Sequence, residues 1–117
     1  MKHHKAIRKF GRKKNARKAF VKGLVSSLII HGRIETTIAR AKEIRPFVER
    51  MVTYAKNGSV AARRLAASKL YNHDIEIEKL WTEYAPKYKD VKGGYTRIIR
   101  KNPRLSDASE MAIIEFI

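Results

Sequence analysis

The apolar residues of this chain recur at helical spacing in four segments and at strand-like spacing in three. In the clearest helical segment, apolar residues three and four positions apart form one continuous stripe, which consists of Ala41, Ile44, Val48, Met51 and Ala55. Short β-branched runs with partial alternation are typical of strands. The pattern predicts helices over 16–30, 38–56, 60–70 and 75–84, and strands over 33–37, 95–101 and from 110 or 111 to 117.

Glycine and proline residues mark where these elements end. Gly32 and Gly58 each follow a helical segment, where a glycine can adopt the left-handed conformation that closes a helix. Pro86 follows the fourth segment and predicts its end. Pro46 lies inside the second segment and predicts a kink or a loosened turn over 42–46, because proline cannot donate a backbone hydrogen bond.

The element order α-β-α-α-α-β-β predicts an α+β fold in which helices pack on a small three-stranded sheet. The last strand is apolar on both faces, which is expected of a central strand covered by helices, and it should pair with the preceding strand as an antiparallel hairpin. At 117 residues the chain has the size of one domain. We expect a basic arm over 1–15 and a single globular domain over 16–117.

Helical geometry also predicts which side chains enter the core. In the first helix Phe20, Leu24 and Leu28 share one flank, while Lys14, Lys18 and Lys22 form a ridge along the other. In the third helix Val60 and Leu65 are expected to pack inward with small alanines beside them. In the fourth helix Ile77, Leu80, Trp81 and Tyr84 share a face.

The charge is strongly positive and unevenly distributed. The net charge of +16 arises from 27 basic and 11 acidic residues, and residues 1–34 contain eleven lysines and arginines but no acid. A polyanion would relieve this self-repulsion. A membrane is the less favoured partner because no apolar run approaches the roughly 20 residues that span a bilayer. RNA or DNA is therefore the expected partner.

The first group of candidate RNA-binding residues lies at the amino terminus. Cations of the arm would release counterions from phosphates and supply affinity with little sequence information. The alternative is a solvated tail. The group consists of Lys2, His3, His4, Lys5, Arg8, Lys9, Arg12, Lys13, Lys14, Arg17, Lys18, Lys22 and, at the first strand, Arg33.

A second candidate group surrounds the predicted hairpin near the carboxyl terminus. Turn statistics favour a simple hairpin entry as the explanation of the two adjacent glycines. They could also let a phosphate backbone approach closely, with an aromatic ring and cations beside them. Five of the eleven acids lie between Asp74 and Asp90, and we expect them to face away from a polyanion. The second group consists of Gly93, Gly94, Tyr95, Arg97, Arg100, Lys101 and Arg104.

No constellation of residues indicates catalysis, a metal or a cofactor. The chain has no cysteine, which excludes disulfides and thiolate chemistry and fits a reducing cytoplasm. The adjacent His3 and His4 have no carboxylate nearby in sequence and are better explained as phosphate contacts than as metal ligands. Glu76 and Glu78 lie two apart on a helix and point to different sides. The sequence predicts neither an enzyme nor a protein with a small-molecule substrate.

Two further classes remain as alternatives. A free architectural or regulatory DNA-binding protein would need a recognition helix, for which Arg63 and Arg64 are weak candidates. A nuclease would need a cluster of histidine and acidic residues, which is absent from the sequence pattern.

Several blocks resemble those of one known family. In order along the chain they are Met1-Lys2-His3-His4-Lys5, Thr36-Thr37, Ala41-Lys42-Glu43, Gly93-Gly94-Tyr95-Thr96-Arg97-Ile98 and Met111-Ala112-Ile113-Ile114-Glu115. The chain resembles, from end to end, the bacterial large-subunit ribosomal proteins of family seventeen. The resemblance implies a structural protein that binds large-subunit ribosomal RNA near the exit of the nascent-chain tunnel, beside other ribosomal proteins.

Overall fold

The longest helix, α2 (Ile38–Asn57), packs against both other long helices and all three strands. A computed structural model describes residues 13–70 and 74–117. The Thr37 side chain caps α2 at its start by accepting a hydrogen bond from the Arg40 amide, and Gly58, at φ +73°, closes its end. The predicted stripe of α2 is confirmed, since all five of its residues are buried. The helix continues through Pro46 without a break.

The remaining helices surround this central one. Helix α1 is closed by Gly32 at φ +79°, and α3 is capped by the Ser59 hydroxyl, which accepts from the Ala62 amide at 3.1 Å. Helix α1 begins two residues before the predicted Ala16. The bounds are α1 Lys14–His31, α3 Val60–Lys69, α4 Asp74–Lys79 and α5 Ala85–Lys87.

Helices α4 and α5 are joined by a π-helical turn, Leu80–Tyr84, so that the helical segment is continuous over 74–87. The prediction that Pro86 ends this helix was wrong. Proline costs least in the first turn of a helix, where an amide lacks an intrahelical partner anyway, and Pro86 lies in the short turn that follows the π turn. The predicted inward face is confirmed for Ile77, Leu80 and Tyr84, which are buried, whereas Trp81 is only partly buried against the core.

The three strands form one antiparallel sheet of order β1-β3-β2. Strand β3 is central, as predicted, and β2 and β3 form the predicted hairpin pairing. In β3, Ala112, Ile114 and Phe116 are buried against the helices, whereas the residues that alternate with them are half-buried. Helices packed on the sheet are confirmed, but the second apolar face of β3 is only half-buried. The bounds are β1 Arg33–Thr37, β2 Thr96–Arg100 and β3 Met111–Phe116.

The core lies between the inner face of the sheet and the helices. Helix α1 contributes Val25, Leu28 and Ile29, while the predicted Phe20 and Leu24 are only partly buried. The inward packing predicted for α3 was wrong for Val60 and Leu65, which are 67% and 44% exposed. The small alanines of α3 face the core instead. None of the described helices has the length and apolarity that crossing a bilayer requires.

Candidate nucleic-acid interface

The predicted amino-terminal group divides at the start of α1. Seven of its members lie outside the described residues, namely Lys2, His3, His4, Lys5, Arg8, Lys9 and Arg12. Lys13 is the residue before α1, and Lys14, Arg17, Lys18 and Lys22 belong to the helix. The proposed arm therefore leads directly into a helix that carries more cations.

The first turn of α1 is electrostatically unfavourable for the protein alone. Lys13 makes no side-chain capping bond, and the turn contains no acid. The amino-terminal end of a helix carries partial positive charge, so Lys14 and Arg17 lie where a cation destabilises it. An anion near this end would be stabilised by both the cations and the free backbone amides.

Helices α1 and α2 pack side by side and leave a groove between their amino-terminal halves, with a volume of about 830 Å³. Three non-polar side chains line it, Val21 from α1 and Pro46 and Phe47 from α2. The rest of its lining is largely cationic. We call it the α1–α2 groove, and its other lining residues are Arg17, Lys18, Lys22, Lys42, Glu43, Arg50, Ser68 and Lys69.

Three cations of the groove were missed by the sequence analysis. Lys42 and Arg50 come from α2, and Lys69 comes from the last turn of α3. The two cations of α2 could have been predicted from the sequence. Lys42, Pro46 and Arg50 follow one another at intervals of four and therefore share one face of the helix. Lys69 is brought to the groove only by the way α3 packs on α2.

Most of the groove's cations have no acidic partner among residues 13–70 and 74–117. Arg17, Lys18, Lys42, Arg50 and Lys69 have no carboxylate partner within 4.0 Å among the described residues. The groove itself includes one acid, Glu43. The groove is thus a concave surface with several cations whose counterions must come from solvent or from a partner.

The cations on the outer face of the sheet have a different environment. Strand register places Glu115 between Arg33 and Arg97. The Arg97 Nε lies 2.7 Å from Glu115 and the Arg33 Nε 3.7 Å from it. The hydrogen bond from Arg97 holds the pKa of Glu115 below its ordinary value. On the same face the Lys101 ammonium lies 3.0 Å from Glu35.

Arg104, in the loop after β2, is also paired. Its guanidinium donates two hydrogen bonds to Asp107, at 2.7 and 3.0 Å, and these hold the pKa of Asp107 well below its usual range. Arg100 is exposed and has no acidic partner within 4.0 Å in the described part of the chain. Three of the four basic residues in the second predicted group are therefore already paired.

Tyr95 does not present its ring for stacking, which corrects the role considered for it. It is only 3% exposed, its ring packs against Tyr88 at 5.2 Å, and its hydroxyl accepts a hydrogen bond from Lys56 at 3.0 Å. Gly94 has φ +68°, so its backbone conformation explains the glycine. A Cβ at Gly93 or Gly94 would meet no protein atom within 4 Å.

The acidic region does not border the α1–α2 groove. None of the acids between Asp74 and Asp90 lines it. Glu76 is buried and accepts a hydrogen bond of 2.5 Å from the Ser26 hydroxyl, which ties α4 to α1. The weak DNA-reading candidate Arg63 lies over the Trp81 ring at 5.4 Å. The part of the chain that the structure describes contains no group of three side chains suited to a metal ion.

Comparisons with known proteins agree on one family. A family model described as ribosomal protein L17 matches residues 20–117. The chain is 48% identical to the large ribosomal subunit protein bL17 of Fusobacterium nucleatum over 117 residues, which covers all of both chains. It is 48% identical to the protein of the same name from Desulfitobacterium hafniense over 96% of this chain and 99% of the relative. Against that of Campylobacter jejuni the identity is 46% over 100% and 99% of the two chains.

Proposed function

Because the chain belongs to the ribosomal protein L17 family, a structural and non-enzymatic component of the large ribosomal subunit, we propose that it binds large-subunit ribosomal RNA near the nascent-chain tunnel exit. There it stabilises the fold of the RNA beside neighbouring ribosomal proteins, in the bacterial cytoplasm, without a cofactor or a small-molecule substrate. The position at the tunnel exit rests on the family resemblance. The RNA-binding role rests on the resemblance and on the charge of the surface.

The observation that carries the RNA-binding proposal is the unneutralised charge along α1 and the groove. Five groove cations lack an acidic partner in the described residues, and the sequence places the basic arm directly before two of them, Arg17 and Lys18. A surface of this kind gains free energy from a polyanion through counterion release. We assign the main contacts to the arm, residues 1–15, and to α1. The second basic group forms an outer part of the interface and contributes less, because three of its four cations are paired with acids.

Sedimentation of a cell extract in magnesium tests the ribosomal role. We expect the chain to travel with large subunits and to be released by concentrated salt. Replacing Arg12, Lys13 and Lys14 together with glutamine should weaken the affinity for large-subunit ribosomal RNA without lowering thermal stability, because these cations lie at or before the first turn of α1, where positive charge does not stabilise the helix. Unchanged RNA affinity in this variant would contradict the role of the arm.

An electron cryomicroscopy structure of the native large subunit tests the location. We expect this chain beside the tunnel exit, with α1 and the arm against ribosomal RNA. Density for the chain elsewhere on the subunit, or basic side chains of the arm in open solvent, would refute the proposal.

A further inference from the structure

The α1–α2 groove combines an aromatic floor with a cationic rim. Phe47 packs against the hydrophobic core on one side and lines the groove on the other. The half-buried Val21 and the exposed Pro46 add apolar lining beside it. The volume of about 830 Å³ lies in the range of sites that hold small organic groups, about 300 to 1,000 Å³.

The rim has the charge of a phosphate-binding site. Lys18 lies on the α1 side, and Lys42 and Arg50 lie on the α2 side, five residues before and three residues after Phe47. The one acid of the lining, Glu43, lies one turn before Phe47. None of these three cations has an acidic partner among the described residues. A phosphate on either flank of a base that contacts Phe47 would therefore meet a cation.

The shape distinguishes a single nucleotide from a duplex. Axes of packed helices lie only about 8 to 10 Å apart, so the floor of a groove between them is reached by one planar ring and not by the much wider body of an RNA duplex. Contact with duplex phosphates would need only a convex row of cations, such as the outer ridge of α1. An aromatic ring at the floor of a cationic cleft instead provides a surface on which a base can stack.

We propose that the α1–α2 groove binds an unpaired nucleotide of RNA, with the base against Phe47 and the adjacent phosphates at Lys18, Lys42 and Arg50. This inference rests on the proposed RNA-binding function and specifies which RNA feature the groove accepts. It assigns Phe47, Lys42 and Arg50 to the interface in addition to the residues that the sequence indicated.

The test uses the full chain and a short single-stranded RNA with a central 2-aminopurine, free and annealed to its complement. The wild-type protein should bind the free strand more tightly and change the fluorescence of its 2-aminopurine. Phe47→Leu retains an apolar floor but removes the ring, and it should lower single-strand affinity by roughly 5- to 100-fold, with no change in duplex affinity. The control is Tyr54→Leu, a half-buried aromatic of α2 that does not line the groove, which should alter neither affinity.

The outcomes separate this inference from the proposed function. Binding to the duplex and to large-subunit ribosomal RNA without preference for the single strand would overturn the nucleotide site and leave the ribosomal role intact. Failure of the wild-type chain to bind any RNA would overturn both. Equal losses for Phe47→Leu and Tyr54→Leu would assign the effect to the fold. Binding of polyglutamate with the same dependence on Phe47 would show that the groove accepts acidic peptides instead and would overturn the inference.

Discussion

The α1–α2 groove makes a quantitative prediction about salt. Replacing Lys18, Lys42 and Arg50 with glutamine removes three cations that have no acidic partner among the described residues. Each phosphate contact contributes about 0.7 to 0.9 to the slope of log affinity against log salt concentration. If all three cations meet phosphates, the slope should become shallower by about 2 to 3. Affinity falls as salt rises from about 50 to 200 mM, and the factor by which it falls should then be roughly 20 to 40 times smaller in the variant than in the wild type.

The matched control replaces the three paired cations outside the groove, Arg97, Lys101 and Arg104, with glutamine. Either triple variant lowers the net charge from +16 to +13, so long-range attraction to RNA is reduced equally. The control cations lie 2.7 to 3.0 Å from carboxylates that already act as their counterions. Because these cations displace few condensed ions on binding, the slope of the control should change by less than about 1.

Filter binding of each variant to deproteinised large-subunit ribosomal RNA over a salt series measures the slopes, and circular dichroism checks that both variants fold. A shallower slope in the groove variant alone supports the distinction between paired and unpaired cations. Equal changes in the two variants would refute the reasoning, because ion pairing within the protein would then not determine which cations meet phosphate.

Three further predictions concern the fold. Leu28→Ala should lower the free energy of unfolding by about 2 to 5 kcal/mol in urea denaturation, because Leu28 is fully buried, whereas Leu65→Ala, at an exposed position of α3, should cost far less. Ser59→Ala should cost about 1 kcal/mol by removing the cap of α3, and Ser59→Asp should restore it; no loss in the alanine variant would contradict the capping role. Burial raises the pKa of Tyr84 to about 12, and the Tyr84 hydroxyl donates a hydrogen bond to the Ile29 carbonyl at 2.8 Å. The neutral phenol should therefore stabilise the fold below about pH 10, and this stabilisation should be lost as the pH rises towards 12. Ultraviolet titration should show a phenol that ionises near pH 12 and disappears in Tyr84→Phe; persistence of that step would contradict the assignment.

The elements of this fold were predictable where one local signal was strong. Strand β1 was predicted at its observed bounds. Helix α2 was predicted within one residue, because its apolar stripe and the glycine that closes it, Gly58, indicate the same end. Leu65 was misplaced because α3 has apolar residues on more than one side, and periodicity alone does not identify the side that meets the core. The π-helical turn before Pro86 packs against α2, and no local sequence pattern predicts it.

The candidate interface was predictable only as far as charge is a local property. Both basic groups are evident in the sequence, but their difference arises from contacts between distant segments. Glu115 meets Arg97 because β3 pairs with β2 in one register, and a shift of that register by one residue would place the carboxylate on the other face of the sheet. Arg17 and Lys18 of α1 have no acidic partner among the described residues, because they face α2 across a groove whose acid content is low. Counting charge therefore predicts a polyanionic partner, whereas the packing of α1 on α2 and the register of β3 determine which cations have an acidic partner among the described residues and which do not.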